Sequence, residues 1–263
     1  MPTPADHPLP KPPPNWTPGS ALLLAAGRGE RMRPLTDTTP KPLLSVHGRP
    51  LMQVCLERMA AGGLRQVVIN TAWLGEQISQ HFGPHGSADM IQRVGGPLDL
   101  LYSQEGTDFG GALETAGGIC RALPWLDKVF WVAAGDVHAP DFVFDPQARE
   151  RLIASPRLAH VWLVPNPVHH PKGDFGLSPA GLALNQGPAD MPRFTFSTIA
   201  LYKRAFFEGP GCDIPPGNPR GVKASLAPML RQAMDQGLVS ASMYLGRWTD
   251  VGTPERLAEL NRA

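Results

Sequence analysis

Cysteine is scarce in this chain and poorly placed for any covalent or metal framework. Its 263 residues hold three, Cys55, Cys120 and Cys212, an odd number spread widely and without paired spacing. That excludes a disulfide scaffold and a paired-cysteine zinc site, and it suits a reducing compartment. Cys55 and Cys120 fall in helical patterns, where a thiol packs as a small hydrophobe. Charge of one sign is also missing: a formal net charge of +1 leaves no broad basic field for nucleic acid, so any anion site must be local. No apolar run reaches the roughly 18 residues of a membrane span, and no continuous apolar segment of a secretory signal opens the chain. These absences lead us to expect a soluble, cytoplasmic protein that binds neither nucleic acid nor membrane. No pattern in the chain indicates an oligomeric state.

Proline, by contrast, crowds one end. Eight of the first 20 residues are proline, with almost no apolar periodicity between them. Such a stretch buries too little surface to offset its ordering entropy, so residues 1–20 are expected to form a flexible tail. Residues 21–263 are long enough, in a chain that is 42% hydrophobic, for one sizeable domain.

Within it, short buried-strand patterns at 21–24, 66–70, 98–102, 129–132 and 160–164 alternate with helical patterns at 50–61, 74–82, 114–123 and 142–154. This alternation predicts an α/β fold, a Rossmann-like doubly wound sheet that is mostly parallel. After Pro165 the pattern changes to longer, partly exposed strands at 174–184 and 194–202, an added β region expected to shape an acceptor pocket. A helix at 226–236, a strand at 239–245 and a closing helix at 254–261 complete the chain.

The segment from Leu22 to Pro42, LLLAAGRGERMRPLTDTTPKP, carries the densest chemistry. An apolar run ends in a turn at Gly27 and Gly29, and Arg31 and Lys41 follow among prolines. A turn without Cβ atoms lets backbone N–H groups approach phosphate oxygens. Arg31 offers a planar fork of donors, and Lys41, held between Pro40 and Pro42, a compact charge. Together these suit a triphosphate and a departing pyrophosphate. An ordinary strand-to-helix turn with solvated basic residues is the plain alternative for a lone G-x-G. A dinucleotide fingerprint fits poorly, because Met32 stands where its third glycine belongs.

The run Leu24-Ala25-Ala26-Gly27-Arg28-Gly29-Glu30-Arg31-Met32-Arg33-Pro34-Leu35-Thr36, followed by Pro40-Lys41-Pro42-Leu43, resembles the signature of sugar-1-phosphate nucleotidylyltransferases. The resemblance implies that Leu24, Ala25, Ala26, Gly27 and Gly29 hold a nucleoside triphosphate and that Arg31 and Lys41 are catalytic contacts to its phosphates. Gly135-Asp136-Val137 and Trp248-Thr249-Asp250-Val251-Gly252-Thr253-Pro254-Glu255 are similar to the family's two metal-bearing segments. They imply a Mg²⁺ ion on Asp136 and Asp250, two hard oxygen donors of the kind this cation prefers. Either aspartate alone would pass for a cap or turn residue.

Leu113-Glu114-Thr115-Ala116-Gly117-Gly118 resembles the segment that meets the base, which implies nucleotide contacts for Glu114, Thr115 and Gly117. The preceding Thr107 to Ala112 is longer than the family pattern. Further segments, Val67 to Gly75, Asn166 to Phe175, Phe194 to Ser197 and Leu226 to Ala233, are similar to the N-acetylmuramate 1-phosphate uridylyltransferase group. By that resemblance Asn70 lies beside the nucleotide, and Asn166 and Asp174 touch the sugar. The adjacent His169 and His170 suit surface or packing roles, and a narrower reading has His170 or Lys172 helping to meet the lactyl carboxylate of muramic acid. Thr198 stands where the group's pattern has glycine. The implied substrates are UTP and a sugar 1-phosphate in cell-wall recycling. Another sugar nucleotidylyltransferase, for mannose or glucose 1-phosphate, and a non-catalytic nucleotide-binding subunit are the competing readings.

Overall fold

A computed structural model describes residues 7, 9, 11–186 and 191–262 of the chain. Regular structure begins with β1 (Gly19–Ala25); three single 3-10 turns and a hairpin of β2 (Ser45–Val46) and β3 (Arg49–Pro50) then lead into α1 (Leu51–Ala61). The strands β4 (Gln66–Thr71), β5 (Asp99–Gln104) and β6 (Leu126–Ala134) follow, separated by α2 (Gly75–Phe82), α3 (Ala88–Val94), α4 (Glu105–Phe109) and α5 (Glu114–Ala122).

The order β6-β1-β4-β5 is parallel throughout. Its strands are apolar without alternation because both faces are covered. Successive β1 side chains point to opposite faces, so Leu22 joins one core with Val68, Ile119 and Phe130, and Ala21 and Leu23 join another with Met52, Leu56 and Trp131.

The second half comprises β7 (Val137–His138), α6 (Pro146–Ala154), β8 (Ala159–Val164), β9 (Phe175–Leu177), β10 (Ala183–Leu184), β11 (Arg193–Lys203), α7 (Ala205–Glu208), α8 (Leu226–Asp235), β12 (Val239–Met243), β13 (Thr249–Asp250) and α9 (Pro254–Arg262). The long β11 is the hinge of the design. Its Ala200–Lys203 end pairs antiparallel with β6, while Arg193 and Phe194 pair with β9. A register shift between Phe196 and Ala200 bends it, so one strand serves both the parallel core and the added β region. Among the described residues nine strands form one sheet. A separate ribbon of β13 and β7 sets Asp250 opposite Val137, and Val251 N donates to Asp136 O at 3.2 Å. Residues more than a hundred positions apart thereby become neighbours.

Three expectations need correction. The helix expected over 142–154 starts at Pro146, because Asp145 accepts from Gln147 N as its cap and Pro146 suits the first turn. Phe142 and Phe144 instead pack edge-on against Trp131. The strand expected over 174–184 breaks into β9 and β10, since Gly181 takes a φ of 74° in the turn between them. Of the tail expected over 1–20, residues 1–6, 8 and 10 lie outside the described residues, but several of the others engage the fold. Gly19 and Ser20 belong to β1, Leu9 and Trp16 pack on the core, and Trp16 Nε1 donates to Trp125 O at 3.2 Å. Proline richness lowers the entropy lost on docking, and one aromatic anchor holds the segment down.

Candidate active site

A cleft of about 530 Å³ opens at the carboxyl ends of β1, β4 and β6, where open α/β sheets bind ligands. Its far wall is built from β9, β11 and α8. Of the residues expected at a nucleotide site, Leu24, Ala25, Ala26, Gly27, Asn70, Glu114 and Thr115 line it, together with Lys41, Asp136 and Asp174. Gly29, Arg31, Gly117, Asn166 and Asp250 do not.

The two glycines of the first turn differ in kind. A Cβ on Gly27 would meet nothing within 4 Å, so no packing within the chain demands glycine there and the bare backbone faces the cleft. Gly29 is a turn residue instead, with φ at 69° and its carbonyl accepting from Met32 N and Thr36 Oγ1. Arg31 is exposed on the 3-10 turn Glu30–Met32 and its side chain makes no hydrogen bond among the described residues. Its neighbour Arg28 is committed: it donates to Thr36 O and lies 3.7 Å from the centre of the Trp73 ring.

Lys41 is 7% exposed, and its Nζ lies 2.5 Å from Asp136 Oδ2. A buried ammonium requires such a partner. Asp136 reaches this position because Gly135 N donates to Leu24 O at 2.8 Å, tucking the end of β6 against β1. The Asp250 carboxylate accepts from Arg256 Nη1 at 2.7 Å and lies 3.6 Å from His169 Nε2. The two aspartates are thus on touching backbones, each already facing a cation. No group of three or more His, Cys, Asp or Glu side chains converges on a metal-sized site among the described residues. Two carboxylates are nonetheless the hard oxygen donors Mg²⁺ takes, with water and substrate phosphate completing its shell.

Glu105 supports the cleft from beneath its lining although nothing in its sequence setting marks it. It is fully buried, with Oε1 accepting from Asn70 Nδ2 and Oε2 from Leu113 N, both at 2.8 Å. Asn70 Oδ1 in turn accepts from Ala25 N at 2.8 Å. The carboxylate therefore ties the loop before α5 to the glycine-rich turn through one amide. Gly118 permits it, since a Cβ there would fall 2.6 Å from Glu105 Oε1. Gly117 faces elsewhere: its amide donates to Ala224 O, and an added Cβ would strike Val222 O at 2.4 Å.

Burial pushes the Glu105 carboxyl up from 4.5 to about 7, against the two donors that favour its ionised form. A carboxyl that holds its proton more tightly folded than unfolded costs the fold stability as pH rises from about 4.5 through 7. Urea unfolding across that window should show this decline, and Glu105→Gln should flatten it; parallel slopes for the two proteins would remove Glu105 as its source.

On the acceptor side, Asp174 accepts from Phe196 N at 2.8 Å and lies 3.0 Å from His170 Nε2. Asn166 supports this wall from behind, donating to Arg193 O and accepting from Thr195 Oγ1. His169 and His170 point apart, one to Arg256 and the other to Asp174, and Lys172 is exposed outside the cleft. Thr198 lines the cleft at the β11 irregularity with φ at 63°, a left-handed conformation that explains why glycine suits this position. Strain at such a residue is of order 1–3 kcal/mol, whereas glycine's added entropy costs about 0.5–1 kcal/mol. Thr198→Gly should therefore raise the melting temperature by a few degrees, and a fall in a thermal melt would contradict the strain.

A cleft-facing glycine turn, a buried lysine paired to a rim aspartate and an added β wall are features of a nucleotidyl transferase. The Nucleotidyl transferase family model matches residues 20–176, and the chain belongs to that family as a sugar-1-phosphate nucleotidylyltransferase. It is 44% identical over 244 residues to the N-acetylmuramate alpha-1-phosphate uridylyltransferase of Neisseria meningitidis serogroup B, a match covering 91% of this chain and 95% of that protein. A protein of the same name from Caulobacter vibrioides is 28% identical, over 90% of this chain and 93% of its own. The fold matches a Bacillus anthracis structure assigned as a glucose-1-phosphate thymidylyltransferase, with a TM-score of 0.69 at 19% identity, over 92% of this chain and 94% of that one.

Proposed function

We propose that the protein transfers UMP from UTP to N-acetylmuramate 1-phosphate, forming UDP-N-acetylmuramate and pyrophosphate. The observation that carries the reading is the Lys41–Asp136 pair beneath the bare Gly27 turn, in a chain similar over nearly its whole length to uridylyltransferases of that name. A phosphate oxygen of the sugar 1-phosphate attacks the α-phosphorus of UTP in line, the bond to the β-phosphate bridging oxygen breaks, and pyrophosphate departs. The attacking group is already an anion, so no side chain acts as nucleophile or base.

The protein's work is to align two polyanions and neutralise charge on the leaving group. Backbone N–H groups at Ala26 and Gly27 hold the phosphates, Asn70 fixes that turn through Ala25 N, and Lys41 and Arg31 meet the pyrophosphate. Glu114 and Thr115 border the base, and Asp174 accepts from the sugar. Asp136 and Asp250 would hold Mg²⁺, which when bound offsets phosphate charge. UTP is a cytoplasmic metabolite, so recovery of cell-wall muramic acid in that compartment is the setting the substrates imply.

The test is pyrophosphate release with Mg²⁺, crossing UTP, GTP, dTTP and CTP against the 1-phosphates of N-acetylmuramate, N-acetylglucosamine, glucose and mannose. Selection of UTP with the muramate supports the reading. Selection of another pair reassigns the substrate, and nucleotide binding with no turnover on any pair points to a regulatory subunit.

A further inference from the structure

We infer that Arg231 on α8 receives the lactyl carboxylate of the sugar substrate and so sets its preference for muramate over neutral sugars; this rests on the muramate reading above. That substrate is anionic at two separate places, its phosphate and its lactyl ether. Among the described residues the cleft is lined by two basic side chains, Lys41 and Arg231. Lys41 is committed to Asp136 at the carboxyl end of β6. Arg231 lies on the opposite wall, where α8 packs against the β9–β10 region.

Arg231 is held there without being neutralised by any carboxylate among the described residues. Its Nη1 donates to Asn185 Oδ1 at 2.8 Å, and its guanidinium carbon sits 5.3 Å from the centre of the Phe175 ring. Asn185 Nδ2 donates to both oxygens of Asp235, at 3.1 Å each. That bond turns the amide oxygen of Asn185 toward Arg231 and fixes the fork. A guanidinium has five N–H donors, and its planar geometry matches a carboxylate in two parallel bonds. Phe175, Phe196 and Leu230 make the surrounding wall apolar, which strengthens a charge pair formed there.

The other basic candidates are spent or absent: His170 faces Asp174, and Lys172 is exposed outside the cleft. Asp174, on the same wall, would repel a carboxylate but accept from a hydroxyl. The two side chains therefore divide the sugar between them, a hydroxyl to Asp174 and the acid to Arg231.

Steady-state kinetics on the full chain test this with N-acetylmuramate 1-phosphate and its lactyl primary amide, which is nearly isosteric without the charge. A charge-assisted contact predicts a wild-type preference for the acid of about 10- to 100-fold in kcat/KM. Arg231→Gln should bring that ratio close to one, chiefly through KM for the acid, and Arg231→Lys should retain part of it. An unchanged ratio in Arg231→Gln overturns the inference, as does an equal loss on acid and amide, which would mark a phosphate or packing role. Thermal melts of both variants report folding; if the glutamine variant fails to fold, the lysine variant decides, full retention of the ratio counting against the fork. A wild-type enzyme that ignores muramate altogether defeats the parent reading, whereas a muramate-selective enzyme indifferent to Arg231 defeats only this one.

Discussion

Lys41→Ala lowers turnover by about 100-fold or more, the loss typical of removing a preorganised group that meets charge developing in the transition state. The position amplifies the effect. The ammonium is nearly buried, held between Pro40 and Pro42, and supplied with a carboxylate partner, so it needs no reorganisation when the pyrophosphate leaves. Truncation also strips Asp136 of its countercharge, but that carboxylate is 38% exposed and water replaces part of what is lost. The expected signature is a collapse in kcat with melting temperature little altered, measured by pyrophosphate release and a thermal melt. Near-normal kcat in a folded Lys41→Ala protein would remove Lys41 from the chemistry.

Chelation of divalent cations abolishes activity, and Asp136→Asn or Asp250→Asn each raises the half-activating Mg²⁺ concentration at least about tenfold, a predicted loss of the size seen when metal-site groups are altered. The two substitutions should differ in character. Asp136 faces Lys41 in the cleft, so its change also disturbs the lysine we propose for the leaving group. Asp250 is bound by Arg256 outside the cleft lining, so its change should move the metal requirement with less effect on kcat at saturating Mg²⁺. Magnesium titrations of both variants against wild type decide this. An unchanged titration in Asp250→Asn would leave Asp136 as the sole protein donor.

The recognisable part of the site was the part encoded in contiguous residues. The turn from Leu24 to Gly29, the lysine between two prolines and the aspartate after β6 are local patterns, and the structure brings Lys41 and Asp136 to 2.5 Å. Glu105 stayed hidden because its partners, Asn70 and Leu113, come from elements on either side of it, and no local pattern marks a buried carboxylate. Gly117 shows the converse: its motif points to a ligand, yet packing of the 222–224 segment against α5 takes up its backbone.

The sequence by itself determined the alternating α/β order, the apolar parallel strands and the glycine-rich turn after β1, because hydrophobic periodicity and glycine or proline backbone limits act within a few residues. Tertiary structure alone decided which distant side chains share the cleft. Asp250 meets the Asp136 backbone only through the β13–β7 ribbon, and Arg231 gains its wall only when α8 closes on β9 and β10. It also decided that Thr198 must adopt a left-handed backbone, since the demand comes from a strand bending to serve two halves of one sheet. Such convergence depends on strand pairing and register across the whole chain, and no short window of sequence carries that information.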